Sequence, residues 1–349
     1  MSSIKVNADY ESVLFTGKPS SKINETLEFL AFFIDDRAVF TPKRYSTEYL
    51  DHVTSITGKI PRTINQGNFE NWWGALKNIE LEKILNSKLT SAELNRAYHW
   101  DESIIVQRES EFSQLEWNRD YLLKDPNGMS GRGLSRVSKP KDIKVDNYPV
   151  IIEPFHDRKF DFSHFVFPDS RLIAYQNLVD ERFQYRGTLF LNYLKPQIEN
   201  LAFYKGIDRI EWSKFEEALS IIISHYQQKS QGAAFSIDSY VYQEMNEYKI
   251  RAMSEVNMRR TMGSVAYELA LRIAGERPWC LFLLGKLKRK MSFKELQSSV
   301  VNKEGIYLLS PEDSRYQIFF LCAKNESEGQ NLFKELQGSL PDCQFSVEI

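Results

Sequence analysis

Cysteine is scarce in this sequence, and its three cysteines form no recognisable metal or disulfide pattern. Cys280, Cys322 and Cys343 each lie within an apolar run, without the short spacing of zinc ligands. Few and unpaired thiols are typical of a reducing compartment, so we expect a cytoplasmic protein. The five histidines include no His-x-x-x-His pair, which argues against a zinc site.

Long apolar runs and an excess of charge are also absent. The run from Trp279 to Leu284 is far shorter than the roughly 20 residues of a transmembrane helix. Met1 to Lys5 lack the apolar stretch of a signal peptide. The formal net charge of -2 gives no long-range attraction to nucleic acid or to an anionic membrane, so we expect neither as a partner. Any phosphate site must therefore be a local feature.

The length of 349 residues and the 42% hydrophobic content predict a large core divided into lobes. We expect an N-terminal α/β lobe at 1–85, a central unit at 86–275 and a C-terminal α/β extension at 276–349. A small subdomain is expected inside the central unit, at about 115–155.

Apolar spacing predicts the main elements of these units. Leu27 to Ile34 is predicted as a buried strand of a parallel sheet that ends at Asp35 and Asp36. Acids at the carboxyl end of a strand can bind ligands, although they more often only begin a loop. The other predicted elements are helices at 73–85, 89–97 and 265–274, a helix with a capping box at Ser213 and Glu216 and a stop at Gly232, strands at 305–309, 317–322 and 344–349, and a helix at 329–336.

The most informative segment, residues 237–257, has the alternation of a β-hairpin. With the turn at Asn246-Glu247, the numbers of facing residues sum to 493, so Asp238 faces Glu255 with Cβ atoms roughly 5 Å apart. Asn257 follows on the same face. Alternation places on that face also Ser236, Tyr240, Tyr242, Arg251 and Met253.

Two facing carboxylates repel each other, and a hard divalent cation such as Mg²⁺ would cancel that repulsion. Mg²⁺ in turn commonly carries a nucleotide phosphate. The alternatives are a solvated polar face on an ordinary hairpin and a slipped register.

A glycine-rich loop lies between two short runs with strand character. Lys124 is followed by Gly128, Gly131 and Gly133. Without Cβ atoms, backbone N–H groups can approach phosphate oxygens, and Lys124 can supply a cation. The Gly-Lys-Ser/Thr ending of a P-loop is absent. The sequence therefore predicts a loop that closes over phosphate groups. The alternative is a wide hairpin turn with an exposed lysine.

An apolar strand beginning at Tyr148 ends in Glu153-Pro-Phe155-His156. Such a strand edge can accept a hydrogen bond from an adenine amino group, through Glu153 or a main-chain carbonyl, and pack the ring against Phe155. Asp161 can reach a ribose hydroxyl. A buried strand that runs into a proline turn, followed by ordinary surface charge, is the alternative.

In this order the motifs resemble the ATP-grasp superfamily over roughly residues 85–265. The most specific part is Glu255-Val-Asn257-Met-Arg259-Arg260, which is similar to the Glu-x-Asn-x-Arg ending of the carboxylate-amine ligases. The resemblance implies an α/β (α+β) ATP-grasp fold, with an N-terminal α/β lobe and a nucleotide held between two antiparallel sheets. The central unit would be the ATP-grasp core and its small subdomain the lid.

The resemblance also implies roles for individual residues. Lys88, in Asn-Ser-Lys88-Leu, resembles the phosphate-binding lysine before a helix, although Ser87 replaces the usual acid. Ser236 stands where the family has an arginine, so Arg186, Arg251, Arg259 or Arg260 would neutralise charge instead. The implied sites are Mg²⁺, or Mn²⁺ as its alternative, at Asp238, Glu255 and Asn257; ATP phosphates at Lys88, Lys124, Gly128, Gly131 and Gly133; adenine at Glu153, Phe155 and His156; and ribose at Asp161.

The implied activity is an ADP-forming ligase that joins a small-molecule carboxylate to an amine, such as an amino acid or peptide. Arg259 and Arg260 would hold the substrate carboxylate, and Arg186 would face the transferring phosphate. A kinase that uses the same nucleotide site is the alternative enzyme, and a binding module on a degenerate scaffold is the alternative without catalysis. The chain is expected as a monomer or a homodimer.

Overall fold

The computed structural model describes residues 2–128, 133–300 and 303–347. The N-terminal lobe contains the strands β1 (Ser3–Lys5), β2 (Ala38–Phe40), β3 (Thr63–Ile64) and β4 (Glu70–Asn71), and the helices α1 (Tyr10–Thr16), α2 (Ser21–Leu27), α3 (Ala31–Ile34) and α4 (Thr47–Thr57). The four strands form one parallel sheet in the order β3-β2-β1-β4. The predicted α/β character of this lobe is confirmed.

The strand predicted at Leu27 to Ile34 is wrong, because these residues form a 3₁₀ turn at Glu28–Leu30 followed by α3. All four side chains of α3 are buried. The sequence of a short helix that is buried on every side has the same apolar pattern as a buried strand. Asp35 and Asp36 therefore follow a helix. They bind neighbouring cations, with Asp35 accepting from Arg37 at 2.8 Å and Asp36 from Lys59 at 2.7 Å.

Two helices, α5 (Ile79–Asn86) and α6 (Lys88–Ala97), lead from this lobe to the centre of the molecule. Helix α6 confirms the helix predicted at 89–97. The helix predicted from residue 73 begins only at Ile79, because the carboxylate of Glu82 accepts hydrogen bonds from the backbone N–H groups of residues 76–78 and holds them in a loop.

A small antiparallel sheet follows, with its own apolar core. Its strands are β5 (Ile104–Val106), β6 (Tyr121–Lys124), β7 (Leu134–Val137) and β8 (Val150–Pro154). They lie in the order β5-β8-β6-β7. We call this sheet the lid sheet.

The large sheet has nine strands, and every pair in it is antiparallel. Its strands are β9 (Asp157–Val166), β10 (Leu172–Val179), β11 (Tyr185–Phe190), β12 (Phe235–Glu244), β13 (Glu247–Asn257), β14 (Trp279–Leu287), β15 (Ile306–Leu308), β16 (Gln317–Ala323) and β17 (Cys343–Gln344). The order is β13-β12-β9-β10-β11-β14-β16-β15, with β17 beside β14. The two predicted antiparallel sheets are therefore present.

Helix α7 (Arg209–Ser230) packs against the end of the large sheet that holds β12 and β13. Its first turn is capped by Asp208, whose carboxylate accepts a hydrogen bond from Ile210 N at 2.6 Å. The capping box predicted at Ser213 and Glu216 is wrong, because the helix has already begun and both residues lie in its interior. The predicted stop is correct to within two residues.

The remaining helices are α8 (Met262–Leu269), followed by a π-helical turn at Ala270–Ala274, α9 (Phe293–Val300) and α10 (Glu326–Ser339). The helix predicted at 265–274 is confirmed, as are the strand, strand and helix predicted between residues 305 and 336. The last predicted strand forms only at Cys343–Gln344, and residues 348–349 lie outside the described part of the chain.

The large sheet continues across the boundary predicted at residue 275, because β14 pairs with β11 on one side and β16 on the other. The three-unit division remains a prediction. No helix in the described ranges is long and apolar enough to cross a bilayer.

Candidate active site

The candidate site lies on the hairpin of β12 and β13. Asp238 faces Glu255 and Ser236 faces Asn257, which confirms the predicted pairing. The third strand, β9, places Ser163 opposite Asp238. These side chains therefore meet on three adjacent strands.

The turn of this hairpin is one residue earlier than predicted. Met245 and Asn246 form it, with positive φ angles of 47° and 69° that are typical of a type I′ turn. Next to this turn the numbers of facing residues sum to 491, as for Val241 and Ile250. A β-bulge then opposes Ser239 on β12 with three residues on β13, and beyond it the sum is 493. The predicted pairing is correct because the bulge compensates for the wrong turn.

The bulge also changes which side chains share a face. Ala252 and Met253 both pack into the core with α7, so the prediction that Met253 lies beside Glu255 is wrong. Ser254 instead lies near the lid sheet, where its Oγ accepts a hydrogen bond from Lys124 Nζ at 3.4 Å.

Asp238 is held by three hydrogen bonds. Ser163 Oγ donates to its Oδ1 at 2.6 Å, Ser236 Oγ donates to the same atom at 3.1 Å, and Asn257 Nδ2 donates to Oδ2 at 2.9 Å. Burial and repulsion from Glu255 nevertheless raise the pKa of Asp238 to about 6. The two facing carboxylates therefore take up their second negative charge only near pH 6.

Glu255 is the carboxylate of the pair that stays ionised. Lys88 Nζ lies 2.7 Å from its Oε2. Burial alone would raise the pKa of Glu255, but attraction to Lys88, Lys124 and Arg259 holds that pKa at about 2. Lys88 Nζ also donates to the main-chain oxygen of Gly128 at 2.5 Å. The lysine thus joins the acid pair to the beginning of the glycine-rich loop.

Arg259 lies beside the same pair. Its Nη2 donates to Asn257 Oδ1 at 3.1 Å and to Glu11 Oε1 at 3.0 Å. Glu11 belongs to α1, so the N-terminal lobe contributes a carboxylate to the site. Arg260 is turned away from this group: it pairs with Glu268 and lies over the Trp72 ring, 4.3 Å from the ring centroid.

Arg186 lies elsewhere on the large sheet. Its Nη2 pairs with Asp180 Oδ2 at 2.6 Å and donates to Gln184 Oε1 at 3.0 Å. It belongs to β11, which is separated from β12 by β9 and β10, or roughly 14 Å at ordinary strand spacing. No contact brings it to the acid pair within the described ranges, and its role remains a prediction.

Lys124 and Glu153, predicted at the phosphates and at adenine, bind each other inside the lid sheet. Their Nζ and Oε1 atoms are 2.5 Å apart. Glu153 Oε2 also accepts from Arg251 Nη2 at 2.9 Å, and the same guanidinium pairs with Asp101. All four side chains are at most 4% exposed. Burial lowers the pKa of Lys124, although Glu153 opposes that shift.

The predicted base and ribose residues are also engaged. His156 stacks on Tyr242 with ring centroids 3.9 Å apart, and its Nδ1 lies 3.0 Å from Tyr240 Oη. Burial and nearby cations lower the pKa of His156 to about 4, so the ring is neutral at pH 7. The guanidinium of Arg158 lies over the Tyr240 ring and pairs with Asp161 at 3.2 Å. Phe155 packs beneath the guanidinium of Arg136, 4.1 Å from its ring centroid.

The glycine-rich loop is described at its two ends only. Gly128 N donates to Asp125 O at 3.1 Å, and Asp125 N donates to Gly133 O at 2.8 Å. Gly133 has a φ of 76°, and a Cβ there would lie 2.8 Å from Asp125 Cβ, so glycine is required. Gly131 lies outside the described residues.

No group of three or more His, Cys, Asp or Glu side chains that could hold a metal is present in the described part of the chain. The donor set available at the hairpin is two carboxylates and one amide, from Asp238, Glu255 and Asn257. Mg²⁺ commonly binds one or two carboxylates and takes its other ligands from substrate phosphates and water. The donor set therefore fits a cation that arrives with a nucleotide.

Sequence reasoning missed several groups of this site. Glu11, Ser163 and Asp101 lie far along the chain from the hairpin and carry no local motif, so only the fold brings them there. Arg251 was considered as a cation for phosphate, and the structure instead buries it between Glu153 and Asp101. Arg158 and Tyr240 had no signal beyond strand alternation.

Comparison with known proteins supports the fold. No protein-family model matches the chain, and no curated protein does. An N5-carboxyaminoimidazole ribonucleotide synthetase solved as an ADP complex matches with a TM-score of 0.52 and 11% identity, over 90% of this chain and 94% of that one. The N5-carboxyaminoimidazole synthetase of Staphylococcus aureus matches with a TM-score of 0.51 and 11% identity, over 89% and 94%.

These matches extend over nearly the whole of both chains. Because only 11% of the residues are identical, the matches support a shared fold and nothing further. The fold that they match combines, in this protein, the parallel N-terminal sheet, the lid sheet and the large antiparallel sheet. The chain has the ATP-grasp fold.

Proposed function

We propose that the protein is an ATP- and Mg²⁺-dependent ligase that joins a carboxylate to an amine, with release of ADP and phosphate. The observation that carries the proposal is the pair Asp238 and Glu255, which face each other with Lys88 and Arg259 beside them. Lys88 pairs with Glu255 and Arg259 with Glu11, so an ionised Asp238 is an excess negative charge, and burial and repulsion from Glu255 raise its pKa. A divalent cation with a nucleotide phosphate would relieve that excess.

Asp238, Glu255 and Asn257 are the residues that would hold Mg²⁺. The cation would supply charge neutralisation for the phosphates. Lys88 and Lys124 would contact phosphate oxygens, and the loop from Gly128 to Gly133 would cover them and exclude water. Glu153, Phe155, His156 and Asp161 would border the base and ribose.

The reaction needs positioning more than a protein nucleophile. A substrate carboxylate oxygen attacks the γ-phosphorus of ATP, ADP leaves, and an acylphosphate forms. The amine then attacks the acyl carbon and phosphate leaves. Arg259 would hold the acid substrate with those N–H groups that Asn257, Glu11 and the main-chain oxygen of Arg260 do not use. Fixed geometry would supply much of the rate enhancement. The substrates we propose are a small carboxylic acid and an amine, such as amino acids or peptides, in the cytoplasm.

A thermal-shift and product experiment tests this function. Purified protein is screened with Mg²⁺-ATP and then with a panel of amino acids and dipeptides, because a ligand above its Kd raises Tm. Reactions with the acids and amines that raise Tm are then analysed for nucleotide products. We expect ADP and phosphate only when both substrates are present. Formation of AMP, or a stable phosphorylated alcohol as in a kinase, would overturn the ligase.

A further inference from the structure

The pairing of Asp238 with Glu255 is not set by the hairpin turn. The turn alone would place Asp238 opposite Met253 and Glu255 opposite Ser236, because its register sums to 491. The bulge adds two residues to β13 and brings the two acids face to face. The geometry of the acid pair therefore depends on whatever holds the bulge in place.

Three buried side chains bind the carbonyl groups of the bulge. Ser239 Oγ donates to Ala252 O at 2.7 Å. Asn95 Nδ2 and Arg251 Nε both donate to Met253 O, each at 3.1 Å. The three side chains are at most 3% exposed. The carbonyl groups of Ala252 and Met253 thus receive side-chain partners at the bulge.

Of these three, Arg251 also reaches the lid sheet. Its Nη2 pairs with Glu153 at 2.9 Å and with Asp101, and donates to Ser103 Oγ at 3.0 Å. Glu153 in turn holds Lys124. One guanidinium therefore joins the bulge behind Glu255 to the carboxylate that positions the lid lysine.

We propose that Arg251 is a positioning residue that fixes the acid pair and the lid lysine relative to each other. The inference rests on the function proposed above for Asp238, Glu255 and Lys124. A buried ionic cluster is often no more stabilising than apolar side chains of the same volume. The planar fork of an arginine is, however, suited to bind a carbonyl and two carboxylates at the same time. We therefore assign to this cluster the role of holding the bulge and the lid lysine in a fixed relative position.

Hydrogen exchange of the ligand-free protein tests the proposal without requiring substrate. In Arg251→Met we expect exchange about tenfold faster both at residues 254–257 and in the lid strands β6 and β8. Ser239→Ala removes one bulge contact without touching the lid, so only residues 254–257 should exchange faster. Lys249→Met removes a half-buried cation two residues away on the same strand, which pairs with Glu247 and Glu211 and not with the lid, and should change neither region. The remote strand β16 serves as the control for global unfolding.

Arg251→Lys keeps the charge beside Glu153 and Asp101 but lacks the Nε donor to Met253 O. It should speed hydrogen exchange at residues 254–257 and leave exchange in the lid strands unchanged. If Arg251→Met does not fold, this variant tests the proposal in its place. The proposal is overturned if Arg251→Lys matches the wild type in both regions, if Arg251→Met affects only one of them, or if β16 exchanges faster to the same degree.

Calorimetric titration with Mg²⁺ and the ATP analogue AMP-PNP gives a second readout. We expect the Kd to rise about tenfold in Arg251→Met and to change less than about twofold in Lys249→Met. A wild-type protein that does not bind Mg²⁺-AMP-PNP would contradict the proposed function, while the exchange experiment would still decide the role of Arg251.

Discussion

The candidate site has a hairpin end, at Asp238 and Glu255, and a lid end, at Lys124 and Glu153, and these two ends differ in how their charges are balanced. At the hairpin end, Asp238 and Glu255 face each other, and their repulsion, added to burial, raises the pKa of Asp238 to about 6. At the lid end, Lys124 is matched by Glu153, and Arg251 by Asp101 and Glu153. His156 is already stacked on Tyr242.

This difference shows that the two ends would meet a nucleotide in different ways. At the hairpin end, Lys88 pairs with Glu255 and Arg259 with Glu11, so a further cation beside Asp238 would be stabilising. The lid end is satisfied by its own side chains, so a ligand would have to replace contacts that already exist. Substitutions at the hairpin end should therefore have the larger effects.

The largest effect is expected from neutralising the acid pair. Glu255→Gln and Asp238→Asn keep the shape of each side chain but remove one charge, so Mg²⁺-dependent ATP turnover should be almost lost while Tm changes little. Glu244→Gln, an exposed carboxylate at the turn of the same hairpin, is the matched control and should behave like the wild type. Steady-state ADP release measures the effect, and wild-type rates in both acid variants would refute the metal site.

The lid lysine should have the next largest effect. Lys124→Met removes a charged contact to phosphate, which we expect to weaken ATP binding by about 1.5–3 kcal/mol in calorimetry. Glu153 keeps Arg251 as a partner, so the variant should fold. Lys141→Met, in an exposed position near the lid sheet, is the control and should bind ATP like the wild type. An unchanged affinity for Lys124→Met would mean that the loop is an ordinary hairpin turn that does not bind phosphate.

Binding of Mg²⁺ or Mn²⁺ with AMP-PNP should depend on pH through Asp238. A cation binds the ionised pair, and the pKa of Asp238 is about 6, so affinity should rise about tenfold per pH unit below 6 and level off above it. Without metal, the free energy of unfolding depends on pH with the opposite sign. Protonated Asp238 stabilises the fold fully below its ordinary pKa of 3.8, and this stabilisation is lost as the pH rises through 6. Asp238→Asn should remove both dependences. A flat affinity between pH 5 and 7 in the wild type would show that the pair does not bind the cation.

The smallest effect is expected at the base end. His156→Ala removes one of the rings that would border the base, so nucleotide affinity should fall by about 0.5–1.5 kcal/mol, the range for an aromatic pair. Calorimetry with AMP-PNP measures it. An unchanged affinity would mean instead that His156 does not border the base.

Much of the fold and part of the site follow from the sequence. Strand alternation predicts the acid pair, apolar spacing predicts the N-terminal α/β lobe, and the resemblance to the ATP-grasp superfamily implies the two antiparallel sheets. The exact register does not follow, because it depends on a bulge held partly by the distant Asn95 and partly by Arg251, whose own partners Glu153 and Asp101 are far along the chain. Likewise the ion pair that occupies Glu153 cannot be read from the sequence. The sequence wrongly predicts a strand at Leu27 to Ile34, because local spacing does not separate a short buried helix from a buried strand.

The most direct test of a ligase is to trap its acylphosphate. With Mg²⁺-ATP and an acid substrate identified by thermal shift, hydroxylamine should replace the natural amine and give a hydroxamate in amounts equal to the ADP formed. Glu255→Gln should give neither product. ADP formation with no hydroxamate, at hydroxylamine concentrations that trap a synthetic acylphosphate completely, would contradict the proposed ligase reaction.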